Sequence, residues 1–286
     1  MSSPASTLPP PAGTESGAPK VAPEDAERLL SADRRRRRRS VIGAALIVAV
    51  IGACSTLVGL FDVQRLSTGI PDIVSLIGEM LPPDFSDWSS WVRPLIDTLA
   101  MSVAGTSLAV ALALPLALAA ARTTAANPVV YVLGRGLLNT LRSIPELIMG
   151  IIFVAAVGFG ALPGVLALGL HSVGMVGKFF AESIERADRA PIEAIRATGA
   201  TQSQVVAHGI FPQVLPQMVD VAVYRWEYNF RASTVLGLVG AGGIGFELLA
   251  SLRLLRYEEV AALLLVVLAT VTVVDALGTL LRRRFA

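Results

Sequence analysis

Long runs without a charged side chain constrain this chain more than any other feature. Residues 41–60 contain no Asp, Glu, Lys or Arg, and an α-helix of that length spans about 30 Å, the thickness of the hydrocarbon core of a membrane. Two further runs, 98–121 and 147–177, are equally free of these residues. Only helices and closed barrels satisfy their backbone polar groups inside lipid, so these runs predict an all-α membrane protein.

The composition excludes an ordinary soluble enzyme. Hydrophobic residues make up 53% of the 286 residues and charged residues only 16%, against about 25% charged in soluble proteins. The single Cys excludes an internal disulfide, and the two His are too few and too far apart for a metal site. We therefore predict no catalytic residues, no metal site and no nucleic-acid partner in this chain.

Six membrane crossings can be counted along the chain. The uncharged run 147–177 has 31 residues, too many for one upright helix, and the turn-forming stretch Gly158–Gly164 divides it. A charged but otherwise apolar region supplies the fifth crossing. The predicted crossings are 41–60, 98–121, 144–159, 163–183, one within 213–239, and 259–281.

The distribution of arginines predicts the orientation. An even number of crossings puts both termini on one side, and placing them in the cytoplasm puts fifteen arginines inside and four outside, as the positive-inside rule requires. The prediction is a bacterial inner-membrane protein with cytoplasmic N- and C-termini. Residues 1–33 are predicted to be disordered. Arg34–Arg39 could be a nucleic-acid arm, but their position beside a crossing favours an anchor on anionic membrane lipid.

The predicted cytoplasmic loop 188–205 carries the first functional signal. Pro191 suits the first turn of a helix, and Gly199 followed by Thr201 predicts a bend between that helix and a second one over 202–208. An ordinary polar loop is the alternative, whereas a helix–glycine–helix unit is a shape that another protein can bind.

This loop resembles the coupling motif of ABC-importer permeases. The segment Glu193-Ala194-Ile195, then Gly199, then Phe211-Pro212 keeps the motif's Glu, Ala, Gly and Pro at the same spacing. It departs from the motif at Ile195, Gly209 and Phe211. By this resemblance, the residues that couple the chain to an ATPase subunit are Glu193, Ala194, Gly199, Ala200 and Pro212.

The fifth crossing carries the second signal, ionisable residues at membrane depth. If its helix begins near Gln213, Arg225 lies about 18 Å along it, and such residues usually face a bundle interior or a water-filled route. Glu227 and Arg231 are spaced to pair on one helix face. For Arg225, a structural ion pair or a helix that begins deeper in the cytoplasm explains the sequence equally well.

A glycine-rich segment follows at the end of this crossing. Gly240, Gly242 and Gly245 fit the Gly-x-Gly-x-x-Gly pattern of dinucleotide folds, but no strand–turn–helix unit surrounds them. The glycines instead permit close helix contact or a broken backbone that lines a cavity. The sequence contains no Gly-Lys-Ser/Thr phosphate loop, so we do not expect this chain to hydrolyse ATP.

The run 225–245 closely resembles phosphonate ABC-transporter permeases, and segments 141–147, 177–185 and 211–216 add to the likeness. The resemblance covers roughly residues 94–286. It implies six transmembrane helices with the five-helix core of type I importer permeases. The residues taken to line or gate the translocation pathway are Arg225, Glu227, Asn229, Arg231, Thr234, Gly240, Gly242, Gly243 and Gly245.

The resemblance also implies the working assembly. The chain would be the permease subunit of an ATP-driven phosphonate importer, with phosphite, hypophosphite or phosphate as alternative cargo. Its partners would be an ATP-binding subunit pair that holds ATP and Mg, an extracytoplasmic binding protein, membrane lipid, and a second permease that is either identical or a sister chain. No cofactor is expected in this chain. A membrane enzyme or a transporter that needs no ATPase are the rival classes.

The predicted organisation has four parts. Residues 1–39 form the tail and polybasic anchor, and 40–61 form the first crossing. Residues 62–93 form an outer segment, which contains a short interfacial helix over 70–77. Residues 94–286 form the permease domain.

Overall fold

The structure is a computed structural model that describes residues 23–285, and all regular structure in that range is helical. The helices are α1 (Pro23–Leu57), α2 (Val63–Glu79), α3 (Trp88–Ala120), α4 (Pro128–Ser143), α5 (Glu146–Val157), α6 (Ala161–Arg186), α7 (Arg189–Ala197), α8 (Gln202–Gln204), α9 (Phe211–Leu236), α10 (Ile244–Arg253) and α11 (Tyr257–Phe285). Two π-helical segments, Val205–Ile210 and Gly237–Ala241, flank α9. The chain divides between Asp72 and Ile73 into two units.

The first unit contains the long helix α1. Its part Arg35–Leu57 is long and apolar enough to cross a membrane, in agreement with the first predicted crossing. The helix begins earlier than predicted: residues 23–33 were expected to be disordered, and they are helical. Proline suits the first turn of a helix, where its missing N–H costs no hydrogen bond. The prediction for residues 1–22 lies outside the described residues.

Among the described residues, four helices are long and apolar enough to span a membrane, and the number reaches six if each of two bent helix pairs forms one span. The six candidates occur in the predicted order. The predicted crossing 144–159 needs correction, because α5 has 12 residues and reaches only about 18 Å. It forms a bent pair with α4 at 85°. Pro145 causes the bend, since the residue before a proline, Ile144, is driven into an extended conformation.

The fifth candidate span also differs from its prediction. The helix does not begin near Gln213 but runs from Gln202 through the first π-helical segment into α9 without interruption. It ends at the second π-helical segment, and the chain then turns by 58° into α10. The predicted short helix 202–208 is therefore the first part of the fifth span.

Helix α6 lies at the centre of the second unit and packs on α3, α4, α5 and α9. Small residues allow this close approach: a Cβ atom on Gly174 would lie 2.6 Å from the backbone nitrogen of Arg142, and one on Gly105 would lie 3.0 Å from Cβ of Leu168. Helices in lipid associate chiefly through such packing. The resulting core holds one side of α9 rigidly.

Candidate functional site

Helix α7 presents the predicted coupling residues on its exposed side. Ile192 is buried beneath the helix, whereas Glu193 and Ala194 are exposed. The helix lies directly on the first π-helical segment, because a Cβ atom on Gly209 would meet the Ile195 side chain at 3.3 Å. The glycine that stands where the motif has isoleucine thus lies in close contact with α7, and a larger side chain there would have to displace Ile195.

Two side chains fasten the start of α7. The Asp188 carboxylate accepts a hydrogen bond from the backbone N–H of Ala190 at 3.1 Å and caps the helix. The Gln213 side chain accepts from the Asp188 N–H at 3.0 Å and donates to the Asp188 carbonyl at 3.3 Å. Because Gln213 belongs to the first turn of α9, α7 and α9 are joined at their beginnings.

The bend after α7 forms as the sequence predicts. Gly199 adopts a φ of +81°, in the left-handed region that favours glycine. Thr201 then caps α8 in a capping box with Gln204. Gly199 is exposed and Ala200 is half-buried, whereas Pro212 is exposed in the first turn of α9. Of the predicted coupling residues, Glu193 and Ala194 thus lie on α7, Gly199 and Ala200 lie in the bend after it, and Pro212 lies on α9.

Within α9, Arg225 and Asn229 are buried in a polar network. Arg225 Nε donates to Ser172 Oγ at 2.7 Å, and Ser172 Oγ donates to Asn229 Oδ1 at 3.0 Å. Asn229 Nδ2 donates to Thr106 Oγ1 at 2.9 Å. The network ties α9 to α6 and α3. The guanidinium of Arg225 also lies 4.2 Å from the centroid of the Tyr228 ring, so this arginine is enclosed by protein groups.

A second polar cluster lies at the break between α4 and α5. The Tyr228 hydroxyl donates to Glu146 Oε1 at 2.8 Å, and Glu146 Oε2 lies 3.3 Å from His171 Nε2. His171 Nδ1 lies 2.9 Å from the carbonyl oxygen of Ile144. Both ring nitrogens of His171 therefore face oxygen atoms, one on the Glu146 carboxylate and one on the Ile144 backbone. The sequence did not predict this cluster, and the signal for it was the place of Glu146 beside Pro145.

Ion pairs join α9 to α11. Glu227 Oε1 lies 2.9 Å from Arg282 Nη1, and Arg231 Nη1 lies 3.0 Å from Asp275 Oδ1. The predicted pairing of Glu227 with Arg231 on one helix face is therefore wrong. Each residue has a partner on the neighbouring antiparallel helix, and this contact ties two elements together. Asp220 lies 3.9 Å from Arg282 and adds a further carboxylate to the same contact.

The glycine-rich segment forms the 58° bend between α9 and α10. Gly240, Gly242 and Gly243 all have positive φ angles. A Cβ atom on Gly243 would overlap the Thr98 hydroxyl of α3, and one on Gly245 would overlap the Thr234 carbonyl. Of the two predicted roles, close helix contact is the one that these distances show.

A cleft of about 230 Å³ opens between α5 and α9. Its lining residues are Glu146, Leu147, Tyr228, Arg231, Ala232, Val235 and Leu236. Arg231 is half-exposed there. The predicted pathway residues thus divide into four groups. Arg231 lines the cleft, Arg225 and Asn229 belong to the buried network, Glu227 belongs to the contact with α11, and Thr234 lies with the glycines at the bend between α9 and α10.

Comparison with known proteins now identifies the family. The family of binding-protein-dependent transport system inner membrane components matches residues 113–286, more than half of the chain. The chain belongs to this family. A phosphite transport system permease protein, PtxC of Stutzerimonas stutzeri, is 65% identical over 262 residues, which cover 92% of this chain and 95% of that protein. The phosphate-import permease protein PhnE of Mycolicibacterium smegmatis is 41% identical over 223 residues, 78% of this chain and 42% of that protein.

The fold of this inner membrane component is that of ABC-importer permeases. The inward-facing MetNI methionine ABC transporter has a chain that superposes with a TM-score of 0.60 at 23% identity, over 68% of this chain and 96% of that one. The predicted all-α fold of type I importer permeases and the resemblance to ABC-transporter permeases are confirmed. The protein is the permease of an ABC importer.

Proposed function

We propose that this chain forms the membrane route of an ATP-driven importer for a small phosphorus oxyanion, and that α7 is its contact with the ATPase. One observation carries the coupling part of the proposal. Helix α7 exposes Glu193 and Ala194 while Ile192 is buried beneath it and Gln213 joins it to α9. A partner that moves α7 must therefore also move the start of α9.

The substrate class is supported by the relatives and by the sequence pattern. The relative at 65% identity is named for phosphite and the relative at 41% for phosphate, whereas the run 225–245 resembles phosphonate permeases. We retain phosphonate as the main substrate, with phosphite, hypophosphite and phosphate as the alternatives. All four are small oxyanions of phosphorus that a shared route can accommodate.

Arg231 is the residue we assign to the anion. It lines the cleft between α5 and α9 and is half-exposed, whereas Arg225 is enclosed by Ser172 and Tyr228. Asp275 pairs with Arg231 and offsets part of its charge. We therefore expect Arg231 to attract the passing anion without retaining it, and Arg225 to hold α9 in position.

The proposed assembly has two permeases, two ATPase subunits and an external binding protein. The positive-inside rule places α7 and both termini in the cytoplasm, where the ATPase subunits hold ATP and Mg. Alternating access requires an element with two arrangements that both ATP and substrate bias. Helix α9 fits this role because α7 is attached to its first turn and the glycine-rich bend follows its last turn.

The test is uptake by the whole complex in liposomes, with the cognate ATPase and binding protein. We expect ATP-dependent uptake of methylphosphonate, with phosphite, hypophosphite and phosphate measured in parallel to rank the substrates. Glu193→Lys should abolish uptake and substrate-stimulated ATP hydrolysis, because it reverses a charge on the exposed side of α7. A matched Gln217→Ala variant, exposed on α9, should remain active.

Three outcomes would each overturn a part of the proposal. Uptake by the permease alone, driven by a gradient without ATP, would place the protein among secondary transporters. Full coupling in the Glu193→Lys complex would show that α7 is not the ATPase contact. Unchanged uptake and ATP turnover in an Arg231→Gln complex would remove this residue from the route.

A further inference from the structure

Two adjoining apolar grooves run along the surface of the second unit. One, of about 580 Å³, lies between α3 and α9, and its lining includes Val103, Val110, Ala111, Ala222 and Val223. The other, of about 530 Å³, follows α11 past Leu277 and Leu280. Trp226 and Leu281 line both grooves. The two grooves therefore meet at a shared boundary.

The shape of the first groove is fixed by its residues. The Trp226 indole nitrogen donates to Ser102 Oγ at 3.2 Å, which holds the ring against α3. Ala111 and Ala222 have small side chains, which leave the groove open. A concave apolar surface on helices of membrane-spanning length is filled by hydrocarbon, because water finds no hydrogen-bond partners on it.

The second groove ends at two arginine side chains. Of the three arginines in the last turns of α11, Arg282 turns inward to Glu227 and Asp220. Arg283 and Arg284 line the groove and are exposed. Among the described side chains, no carboxylate lies within 4.0 Å of either. The surface thus combines a hydrocarbon-lined groove with two guanidinium groups at one end.

We propose that this surface is a binding site for an anionic phospholipid. One acyl chain lies in the groove against Trp226, and the phosphate is bound by Arg283 and Arg284. Guanidinium groups bind phosphate oxygens in paired hydrogen bonds, and basic pockets beside transmembrane helices hold anionic headgroups. A free inorganic anion would match the arginines but leave the apolar groove unfilled. The inference rests on the membrane location of the helices and is independent of the transported substrate.

The experiment measures phosphatidylglycerol on the purified complex. We expect native mass spectrometry to show phosphatidylglycerol retained by the unmodified complex and lost several-fold in Arg283→Gln/Arg284→Gln. Added phosphatidylglycerol should raise the melting temperature of the unmodified complex, while phosphatidylcholine should not. An Arg93→Gln/Arg253→Gln variant removes the same charge away from the groove and should behave like the unmodified complex.

A second variant tests the groove itself. Ala222→Phe fills the space beside Trp226 and should displace the lipid although both arginines remain. Equal phosphatidylglycerol retention in all variants, or equal stabilisation by phosphatidylcholine, would overturn the proposal. The groove could instead be covered by a second copy of the chain. In that case Ala222→Cys, made in a Cys54→Ser background, would cross-link two permeases through the groove, and this result would also overturn the lipid assignment.

Discussion

At the scale of single residues, Glu227 packs closely against Gly278. Glu227 is only 6% exposed, and its carboxylate pairs with Arg282 one turn further along α11. A Cβ atom on Gly278 would overlap the Glu227 carboxylate. The glycine therefore provides the space in which a buried charge reaches its partner, and the three residues depend on one another.

This dependence predicts a non-additive double mutant. Gly278→Ala should destabilise the complex by about 1–3 kcal/mol, the usual range for overpacking, because it pushes Glu227 away from Arg282. Glu227→Ala should also destabilise it, since Arg282 loses its closest partner. The measurement is thermal unfolding of the purified complex for both single variants and the double variant.

In the double variant the second substitution should cost little, because the contact is already lost. Gly136→Ala is a suitable control, since a Cβ atom there has no neighbour within 4 Å. If the destabilisation by Gly278→Ala and by Glu227→Ala added up in the double variant, Glu227 would not depend on the space that Gly278 leaves.

Residue identities could be predicted better than residue partners. The sequence indicated that Arg225, Glu227 and Arg231 are unusual for a membrane helix. It could not indicate that Ser172 binds Arg225 or that Asp275 binds Arg231, because these partners are distant in sequence. Spacing along one helix suggested a Glu227–Arg231 pair, and packing against α11 replaced it with two contacts between helices.

At the scale of elements, Gln213 connects the exposed helix α7 to α9. Its side chain makes two hydrogen bonds to the backbone of Asp188. We predict that Gln213→Ala leaves the complex assembled but lowers uptake relative to ATP hydrolysis several-fold, because α7 can then move without α9.

The measurement is the ratio of transported substrate to hydrolysed ATP in liposomes. Gln217→Ala, one turn along α9 and exposed, controls for the loss of a glutamine side chain. An unaltered ratio in Gln213→Ala would show that the junction does not transmit motion.

At the glycine-rich bend, alanine should destabilise the protein to different degrees at two neighbouring positions. Gly242 and Gly243 both have positive φ angles, so alanine at either position strains the backbone by about 1–2 kcal/mol. Only Gly243 also faces a close neighbour, the Thr98 hydroxyl, whereas the nearest atom to a Cβ on Gly242 is 3.7 Å away. Gly243→Ala should therefore lower the yield of folded protein and its melting temperature more than Gly242→Ala.

The two alanine variants are compared by size-exclusion profile and thermal unfolding in the same detergent. A larger loss in Gly242→Ala would contradict the assigned contact with α3.

Elements with local signals could be predicted well. Gly199 and Thr201 mark the end of α7 and the start of α8, since the left-handed turn and the capping box depend on adjacent residues. The 85° bend between α4 and α5 was not predicted, although Pro145 stands at the bend. The uncharged run from Leu147 placed the start of a crossing at residue 144, and hydrophobicity alone does not report helix direction.

At the scale of the whole molecule, the distribution of arginines predicts the topology. In a Cys54→Ser background, Ser89→Cys should react with a membrane-impermeant maleimide in intact cells. Gln202→Cys should react only after the membrane is permeabilised. Both positions are exposed, so differences in labelling report the side of the membrane. Labelling of Gln202→Cys in intact cells would reverse the orientation and remove α7 from the cytoplasm.

The order of the candidate spans could be read from the sequence because lipid imposes a minimum length on apolar runs. The boundaries in charged regions could not, as the fifth span shows. Polar residues of this helix lie within the membrane span and form hydrogen bonds and ion pairs with other helices. The apolar run in the sequence is therefore interrupted although the helix is continuous.

That continuity has a mechanical consequence. The helix from Gln202 to Ala241 is anchored near its middle, where Arg225 and Asn229 are bonded to two neighbouring helices. A helix that is held at one point near its middle can tilt about that point, so that its two ends move in opposite directions. We expect a small sideways displacement at the α7 end to swing the glycine end in the opposite direction, so that one push on the inner face opens or shuts the outer mouth.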